Sequence, residues 1–390
     1  VADFLDAALS LGVEVAVAAE EELPLSGFDR FVRIDCSDPE AAAEAVAGLA
    51  ASTPIDAIVP VDDAGVVIAA LSSARLGLPY NSPTAARATR DKSALRRALA
   101  IAEVPQPDFW VVDPLDDANA IADRLGYPLV VKPLALSGSR GVIKVETPDR
   151  LKATLDRVRR INLSAGQDHQ QPLLLETFQP GPEVAVEGML WDGTMEVLAI
   201  FDKPDPLDGP YFEETIYVTP SRHPGEVLRE VERITQQATA ALGLVEGPIH
   251  AELRITGGRP HVIEVAGRSI GGICGRALTF GLLDTSLEVL ILRHALGRRH
   301  PGLKRQSQPS GVMMLPIPRA GVFRGTRGLD EASKVTGVTA IEITASIGST
   351  LAMVPEADRY LGFVFATGAS PEEVEGSLRE AHRRLEAIID

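Results

Sequence analysis

Apolar and polar positions alternate along this chain with two different periods, and the period changes three times. In the first part, helix-like spacing over Ala2–Ser10, Pro39–Leu49 and Gly65–Leu76 is interleaved with short apolar runs over Val13–Ala18 and Ala57–Pro60. That interleaving predicts a small parallel α/β domain. Its strands end near Asp62 and Asp63, where such sheets place ligands, although an aspartate there also suits capping the next helix. The second part begins near Thr89. Asp91 is placed to cap a helix over Lys92–Ala102, and Val104-Pro105-Gln106-Pro107 stops it. A helix over Ala118–Leu125 follows, and Gly126-Tyr127-Pro128 ends it. Period-two runs then dominate: Leu129–Lys132, Val142–Val145, Leu173–Glu176, Val184–Leu190 and Met195–Phe201. A long helix, Gly225–Leu242, precedes a hairpin. The third part reads as strands over Gly311–Pro316, Ala340–Ile343 and Gly362–Ala366 and a helix over Pro371–Ile389, after a basic linker over Arg298–Ser310. Grouped strands imply α+β units with antiparallel sheets. The expected division is 1–88, 89–300 with a break near 172, and 301–390.

The hairpin carries the most chemistry. Glu252 and Glu264 flank Thr256-Gly257-Gly258-Arg259, a turn signal. With a three-residue loop, Thr256 faces Pro260 and Glu252 faces Glu264. Two carboxylates opposed on one face repel, and a divalent cation between them removes that cost. A loop one residue shorter puts them on opposite faces and makes them two solvated acids.

Three other segments join this pair. Leu129-Val130-Val131-Lys132 is an apolar strand ending in lysine, and Leu136-Ser137-Gly138-Ser139-Arg140-Gly141 follows. A buried ammonium needs an anion, and a Gly/Ser loop offers N–H and hydroxyl groups to phosphate. The loop joins two strands, and neither G-x-x-x-x-G-K-[ST] nor G-x-G-x-x-G occurs in the chain. Glu176-Thr177-Phe178 to Glu183 breaks a strand with a carboxylate on each side, suited to an adenine edge and a ribose. Arg268 follows Glu264 by four residues in Gly267-Arg268-Ser269-Ile270-Gly271-Gly272. A guanidinium there suits a phosphoryl or acyl-phosphate oxygen.

Composition narrows the classes. The chain has 390 residues, 45% of them hydrophobic, enough for two or three cored domains. A formal charge of −16 argues against nucleic acid or an anionic membrane as the main partner. Cys36 and Cys274 form neither a disulfide framework nor a zinc signature, so the cytoplasm is expected. No apolar run is long enough to span a bilayer. The chain opens at Val1 already inside a helical pattern, so an upstream strand is expected outside it.

In order, Arg90-Asp91-Lys92, Lys132 with its loop, Glu176 to Glu183, His250-Ala251-Glu252 and Glu264 to Arg268 resemble the ATP-grasp superfamily. Gly-Gly after Arg268, Tyr211-Phe212-Glu213-Glu214 and the C-terminal strands make the chain most similar to the L-amino-acid ligases. The resemblance implies an ATP-grasp fold with an N-terminal parallel α/β domain and a C-terminal α+β domain. It implies ATP and Mg²⁺, with Mn²⁺ as an alternative, and small-molecule carboxylate and amine substrates joined through an acyl phosphate. A homodimer is compatible with it. Lys92 and Lys132 then hold the α/β-phosphates. Ser137, Gly138, Ser139 and Gly141 close over the phosphates. Glu176 and the backbone of Thr177 and Phe178 hold adenine, and Glu183 the ribose. Glu252 and Glu264 bind the metal, and Arg268 stabilises the acyl phosphate. Glu214 and His223 are expected near the amino groups, and Gly271 and Gly272 leave room for a side chain. One departure stands out. Many members place Asn two residues after the second glutamate, as an extra metal ligand, where this chain has Ala266. Alternatives are an ATP-grasp carboxylase or formyl-phosphate-using enzyme of purine synthesis, a ligase of a larger peptide or carrier-bound substrate, and a nucleotide-binding sensor without turnover.

Overall fold

A computed structural model describes residues 1–390 apart from 23, 283 and 300–303. Part of the expected basic linker thus lies outside the described residues. Its C-terminal portion is pinned to the segment Thr279–Gly281: the Gln306 N–H donates to Thr279 O at 2.9 Å and its side chain to Gly281 O at 3.0 Å.

The N-terminal region pairs two parallel strands, Ala16–Ala19 and Arg30–Arg33. Helices Pro39–Ala50, Gly65–Leu76 and Pro83–Arg90 pack beside them through Val66, Ala70, Ala86 and their neighbours. The segment expected as a strand at Ala57–Pro60 is extended but joins no ladder, and Arg30–Arg33 supplies the second strand instead. The two aspartates that follow divide their work. Asp62 accepts from the Gly65 N–H at 2.9 Å at the helix start, and Asp63 turns toward the rest of the molecule.

A four-stranded antiparallel sheet follows, in the order Phe109–Val112, Leu173–Thr177, Leu129–Pro133, Ile143–Val145. Leu129–Pro133 is buried along its whole length, with one face against helix Pro148–Ser164. The central sheet has eight antiparallel strands, ordered Arg259–Ala266, Gly247–Thr256, Glu183–Trp191, Thr194–Lys203, Ile216–Thr219, Ser310–Leu315, Gly362–Thr367, Val338–Ile343. Strands Ser310–Leu315, Val338–Ile343 and Gly362–Thr367 therefore extend the same sheet as the hairpin, while Gly321–Arg327 pairs with Thr350–Leu351 and with Glu386–Ile389, the end of the segment expected as helix. Helices Lys92–Ile101 and Gly225–Leu242 cover one face through Leu95, Leu99, Val231 and Ile234. Cys274, Leu278, Phe280 and Leu287 pack the other.

The hairpin turn has two residues, not three. Thr256 pairs with Arg259 and Leu253 with Val262. Continued without a break, that register would set Glu252 opposite Ile263. A β-bulge between Glu252 and Leu253 absorbs Ile263 and restores the pairing of Glu252 with Glu264. The bulge has a visible support. Arg96 is 1% exposed and donates from Nη1 to Val262 O at 3.0 Å and from Nη2 to Ile263 O at 2.8 Å. Its Nε donates to Glu176 at 2.5 Å. Gln106 locks the same arginine by donating to its carbonyl at 2.9 Å. Carbonyls that a bulge takes out of the ladder must find other donors, and a fully buried guanidinium provides two.

Replacing Arg96 by Met should cost about 3 kcal/mol, the low end for breaking a buried ion pair, because Lys132 still neutralises Glu176. Thermal unfolding should fall, and amide exchange should rise over Arg259–Ala266. Unchanged exchange in that strand would show that the bulge does not depend on the arginine.

Candidate active site

The small sheet, the hairpin and the segment 204–215 enclose a cleft of about 620 Å³, open to solvent. Lys92, Lys132, Ser139, Glu176, Thr177, Phe178, Glu183, Glu214, Glu252 and Glu264 all line it. Residues from six separate stretches of sequence thus reach one space.

Lys132 ends its strand as the apolar pattern requires, 6% exposed. Its ammonium is matched by Glu176 at 2.6 Å, so the first anion it meets is a protein carboxylate. Burial lowers the Lys132 pKa, and Arg96 beside it adds to that. Burial alone would raise the Glu176 pKa, but Arg96 and Lys132 outweigh it and hold it at about 2. Lys92 donates from Nζ to Leu136 O at 2.6 Å and reaches Glu264 at 3.4 Å. Its N–H donates to Leu134 O at 3.0 Å. The start of the glycine loop is therefore tied to the helix that Asp91 caps, through Ser93 and Ala94. The Gly141 N–H donates to Pro355 O at 2.8 Å, which ties the loop's far end to the C-terminal region.

The wall expected for adenine is present in part. Phe178 stacks on Phe212 with ring centroids 6.3 Å apart, and the Lys144 ammonium lies 4.1 Å from the Phe178 ring centre. The N–H groups of Thr177 and Phe178 are already spent on Asp108 O at 2.9 Å and Pro128 O at 3.1 Å. Those two N–H groups are therefore not free to meet an adenine edge.

The cluster with the highest charge density is one the sequence reading missed. Lys203 is buried at the end of Thr194–Lys203 and lies 2.7 Å from Glu183, 2.7 Å from Glu214 and 3.1 Å from Glu252. Oxygens of the three carboxylates lie within 4.8 Å of one another. Burial opposes the charge on Lys203, and its three partners outweigh burial, so its pKa lies well above the ordinary lysine value. Burial and the neighbouring Glu252 push the Glu214 pKa up. Glu252 is held down at about 2: burial raises it, but Lys203 and His250 win. Arg254 adds a second cation, donating to Glu183 at 2.8 Å and Gln179 O at 2.8 Å and also to Leu207 O. The signal for Lys203 was the one used for Lys132: an apolar strand that ends in lysine.

Behind Glu252, His250 is clamped between Glu187 at 2.5 Å and Glu252 at 3.2 Å. Burial works against its charge, and the two carboxylates raise its pKa to about 9. Glu187 also accepts from the Ile270 N–H at 3.0 Å, tying this relay to the loop after Arg268.

Glu252 and Glu264 are cross-strand partners and line the same cleft, with 15% and 31% of their side chains exposed. Two hard oxygen donors opposed on one face, with room between, fit a divalent cation. Ala266, buried and paired with His250, offers no further ligand.

Of the loop residues Ser139 lines the cleft and Ser137, Gly138 and Gly141 do not, and Arg268, His223 and Gly272 stand elsewhere. Arg268 does not line the cleft, because its guanidinium is held side-on by Asp63 at 2.9 and 2.8 Å. His223 lies beyond the end of Ile216–Thr219 opposite Glu214, and its N–H meets Ser221 Oγ at 3.3 Å. The four strand residues between them span about 13 Å at 3.3 Å each, so Glu214 lines the cleft and His223, expected near the incoming amine, does not. A Cβ at Gly272 would lie 2.9 Å from the Phe363 ring, so its missing side chain makes room for Phe363 rather than a substrate. Only Gly271 faces open space.

Comparison with known proteins agrees with this arrangement. The family model for the ATP-grasp N-terminal domain matches residues 5–80, that for the ATP-grasp domain residues 125–277, and that for the L-amino acid ligase C-terminal domain 2 residues 313–390. An L-amino acid ligase from Bacillus licheniformis superposes with a TM-score of 0.84 at 27% identity, covering 100% of this chain and 96% of that one. Alanine–anticapsin ligase from Bacillus subtilis is 28% identical over 249 residues, which are 60% of this chain and 52% of its own. The match thus spans about half the length of that curated relative. The N5-carboxyaminoimidazole ribonucleotide synthetase of Thermotoga maritima covers 99% of this chain and 96% of its own at a TM-score of 0.74, but at 17% identity it shares the fold alone. The chain belongs to the ATP-grasp superfamily, with a C-terminal domain of the L-amino acid ligase type.

Proposed function

We propose that this chain is an ATP-dependent carboxylate–amine ligase that uses an amino acid as one substrate. The observation that carries the reading is the opposition of Glu252 and Glu264 in a cleft that also holds Lys92 and Lys132. A substrate carboxylate oxygen attacks the γ-phosphorus of ATP, ADP leaves, and an acyl phosphate forms. The neutral amine then attacks the acyl carbon, phosphate leaves, and the amine gives up a proton. No protein nucleophile is needed.

The chain's own residues bind, orient and exclude water. Lys92 and Lys132 meet the α/β-phosphates. Ser137, Gly138, Ser139 and Gly141 close over the terminal phosphates, where water would hydrolyse the intermediate. Phe178, stacked on Phe212, supports the adenine face, and Glu183 takes the ribose hydroxyls. Glu252 and Glu264 would hold Mg²⁺, which neutralises charge on the phosphates when bound. Lys203 stands between Glu214 and Glu252, where the ammonium can follow charge from carboxylate to transferring phosphoryl group. Arg268 stands outside the cleft but close enough to feel the Glu264 charge, and it steadies the acyl phosphate from that side. Glu214 holds the ammonium of the amino acid that supplies the carboxylate. Likeness to the L-amino acid ligase and to alanine–anticapsin ligase supports an amino-acid substrate over bicarbonate or formate.

Replacing Glu252 or Glu264 by Ala should abolish Mg²⁺-dependent turnover while the protein remains folded. Phosphate release with pairs of amino acids, combined with product masses, tests it; near-normal activity in either variant would sink the metal assignment.

Lys132→Ala should weaken ATP binding by about 1.5–3 kcal/mol, the scale of a hydrogen bond to a charged group. Lys144→Ala removes a hydrogen bond to Asp208 O, a pair with Glu146 and a cation contact to Phe178, and should cost ATP binding under about 1 kcal/mol, the scale of the last alone. Equal losses by calorimetry at both positions would point to general charge attraction instead of a site.

Glu214→Gln should raise the KM for the amino acid more than the KM for ATP, since it removes a substrate contact while Glu183 and Glu252, which share Lys203 with it, keep their charges. A loss confined to ATP would move Glu214 out of the acceptor pocket.

A further inference from the structure

We propose that Asp63, from the N-terminal domain, is a positioning residue for the reaction: one carboxylate fixes both the Arg268 guanidinium and, through Arg90, the root of the glycine loop. The inference rests on the ligase reading above.

The geometry is specific. Arg268 presents Nε and Nη2 to the two oxygens of Asp63 at 2.9 and 2.8 Å, and its Nη1 donates to Ser269 O at 2.7 Å. A two-point contact of this kind fixes the plane of the guanidinium as well as its place. Arg90 lies 3.0 Å from the same carboxylate through Nη1, and its Nη2 donates to Ala135 O at 3.2 Å. Ala135 is the residue before Leu136, whose carbonyl is held by Lys92. An unbroken chain of polar contacts therefore runs from Arg268 through Asp63 and Arg90 to the start of the loop. Only 16% of the Asp63 side chain is exposed, with 14% for Arg268 and 24% for Arg90, so water competes weakly for these contacts. Burial would raise the Asp63 pKa, but Arg268, Arg90 and the nearby Ser137 hydroxyl hold it at about 2, so the carboxylate stays charged at every working pH.

The clamp sets Arg268 beside the second carboxylate of the hairpin. Asp63 holds Arg90 and Arg268 together, and Arg268 also feels the charges of Glu264 and Glu187. A cation fixed at the Glu264 end of the cleft suits the acyl phosphate that forms there in the proposed reaction. With Arg268 unheld, water reaches the intermediate: its oxygen attacks the acyl carbon, phosphate leaves, and the carboxylate is regenerated with a net loss of ATP.

The test uses the full chain. Asp63→Asn keeps the shape and removes the charge. Amide formation should fall about 10- to 100-fold, the scale of a misplaced reacting group. The KM for ATP should stay close to the wild-type value, phosphate released per amide should rise above one, and amide exchange over residues 134–141 should rise. Asp63→Glu should recover part of the amide yield. Arg90→Gln removes the arm from Asp63 to Ala135 while leaving Asp63 with Arg268, and it should raise exchange in the same loop, which serves if the Asp63 variants fold poorly. A wild-type rate with one phosphate per amide overturns the proposal. So does a slower enzyme with unchanged coupling and unchanged loop exchange, which marks a structural aspartate. If the wild-type chain forms no amide with any amino-acid pair, the ligase reading fails separately, and unchanged loop exchange in Asp63→Asn and Arg90→Gln then overturns the clamp alone.

Discussion

A guanidinium without access to water sets the geometry of this cleft. Arg96 has to place its donors inside the protein, and it finds Glu176 and the carbonyls of Val262 and Ile263. Those carbonyls belong to the bulge that turns a two-residue hairpin, which would separate Glu252 from Glu264, into one that opposes them. The same arginine reaches the carboxylate that matches Lys132. Strand register, the Lys132–Glu176 pair and the opposition of Glu252 and Glu264 therefore share one buried cation. A shift of one residue in a strand moves every side chain to the other face, so the bulge is a condition of the site and not an ornament on it.

The remaining charges follow from that arrangement. Like charges brought together in a partly dry cleft demand compensation, and the chain supplies it from strand ends. Lys203 sits among Glu183, Glu214 and Glu252, Arg254 shares Glu183, and His250 is held between Glu187 and Glu252. Each carboxylate has a cation that a phosphate or a metal could exchange with. The cleft is therefore a place of paired charges, with Lys92, Lys132 and Arg254 set among five glutamates, and the net charge of −16 does not describe that pairing.

Local rules carried the sequence reading wherever a segment's surroundings were simple. Helix Gly65–Leu76 and helix Gly225–Leu242 each stop at a left-handed glycine, Gly77 and Gly243, a local signal that needs no partner, and they occur at the expected bounds. The hairpin was legible as a turn between two glutamates, yet its loop length was not, because Gly257-Gly258 with Arg259 suits two or three residues. The opposition of the glutamates was reached by a compensating bulge that no local signal announces; its cause, Arg96, lies 166 residues from Val262. Lys203 ends an apolar strand as Lys132 does, but no glycine loop follows it, and its three carboxylates come from two other strands and from the segment before Ile216–Thr219. Helices Pro83–Arg90 and Pro148–Ser164 went unassigned because the first is short and proline-led and the second is rich in arginine, so both resemble polar connections.

The small sheet that carries the glycine loop is gripped from two sides. Arg90 and Lys92 hold Ala135 and Leu136 from the N-terminal side. From the C-terminal region, Pro355 accepts from the Gly141 N–H, and Glu356 pairs with Arg157 at 2.8 and 3.0 Å. Arg157 in turn meets the Tyr211 hydroxyl at 2.5 Å, on the segment that brings Phe212 and Glu214 to the cleft. The grips differ in kind. The N-terminal one is partly buried and should hold at any salt concentration, while the Arg157–Glu356 pair is more exposed and is weakened by screening. An opening of the loop to admit nucleotide would therefore begin at the C-terminal grip, with the N-terminal contacts as the hinge. That order keeps Lys92 and Glu264 in place while the loop moves, so the phosphate and metal ligands are set before the cleft closes.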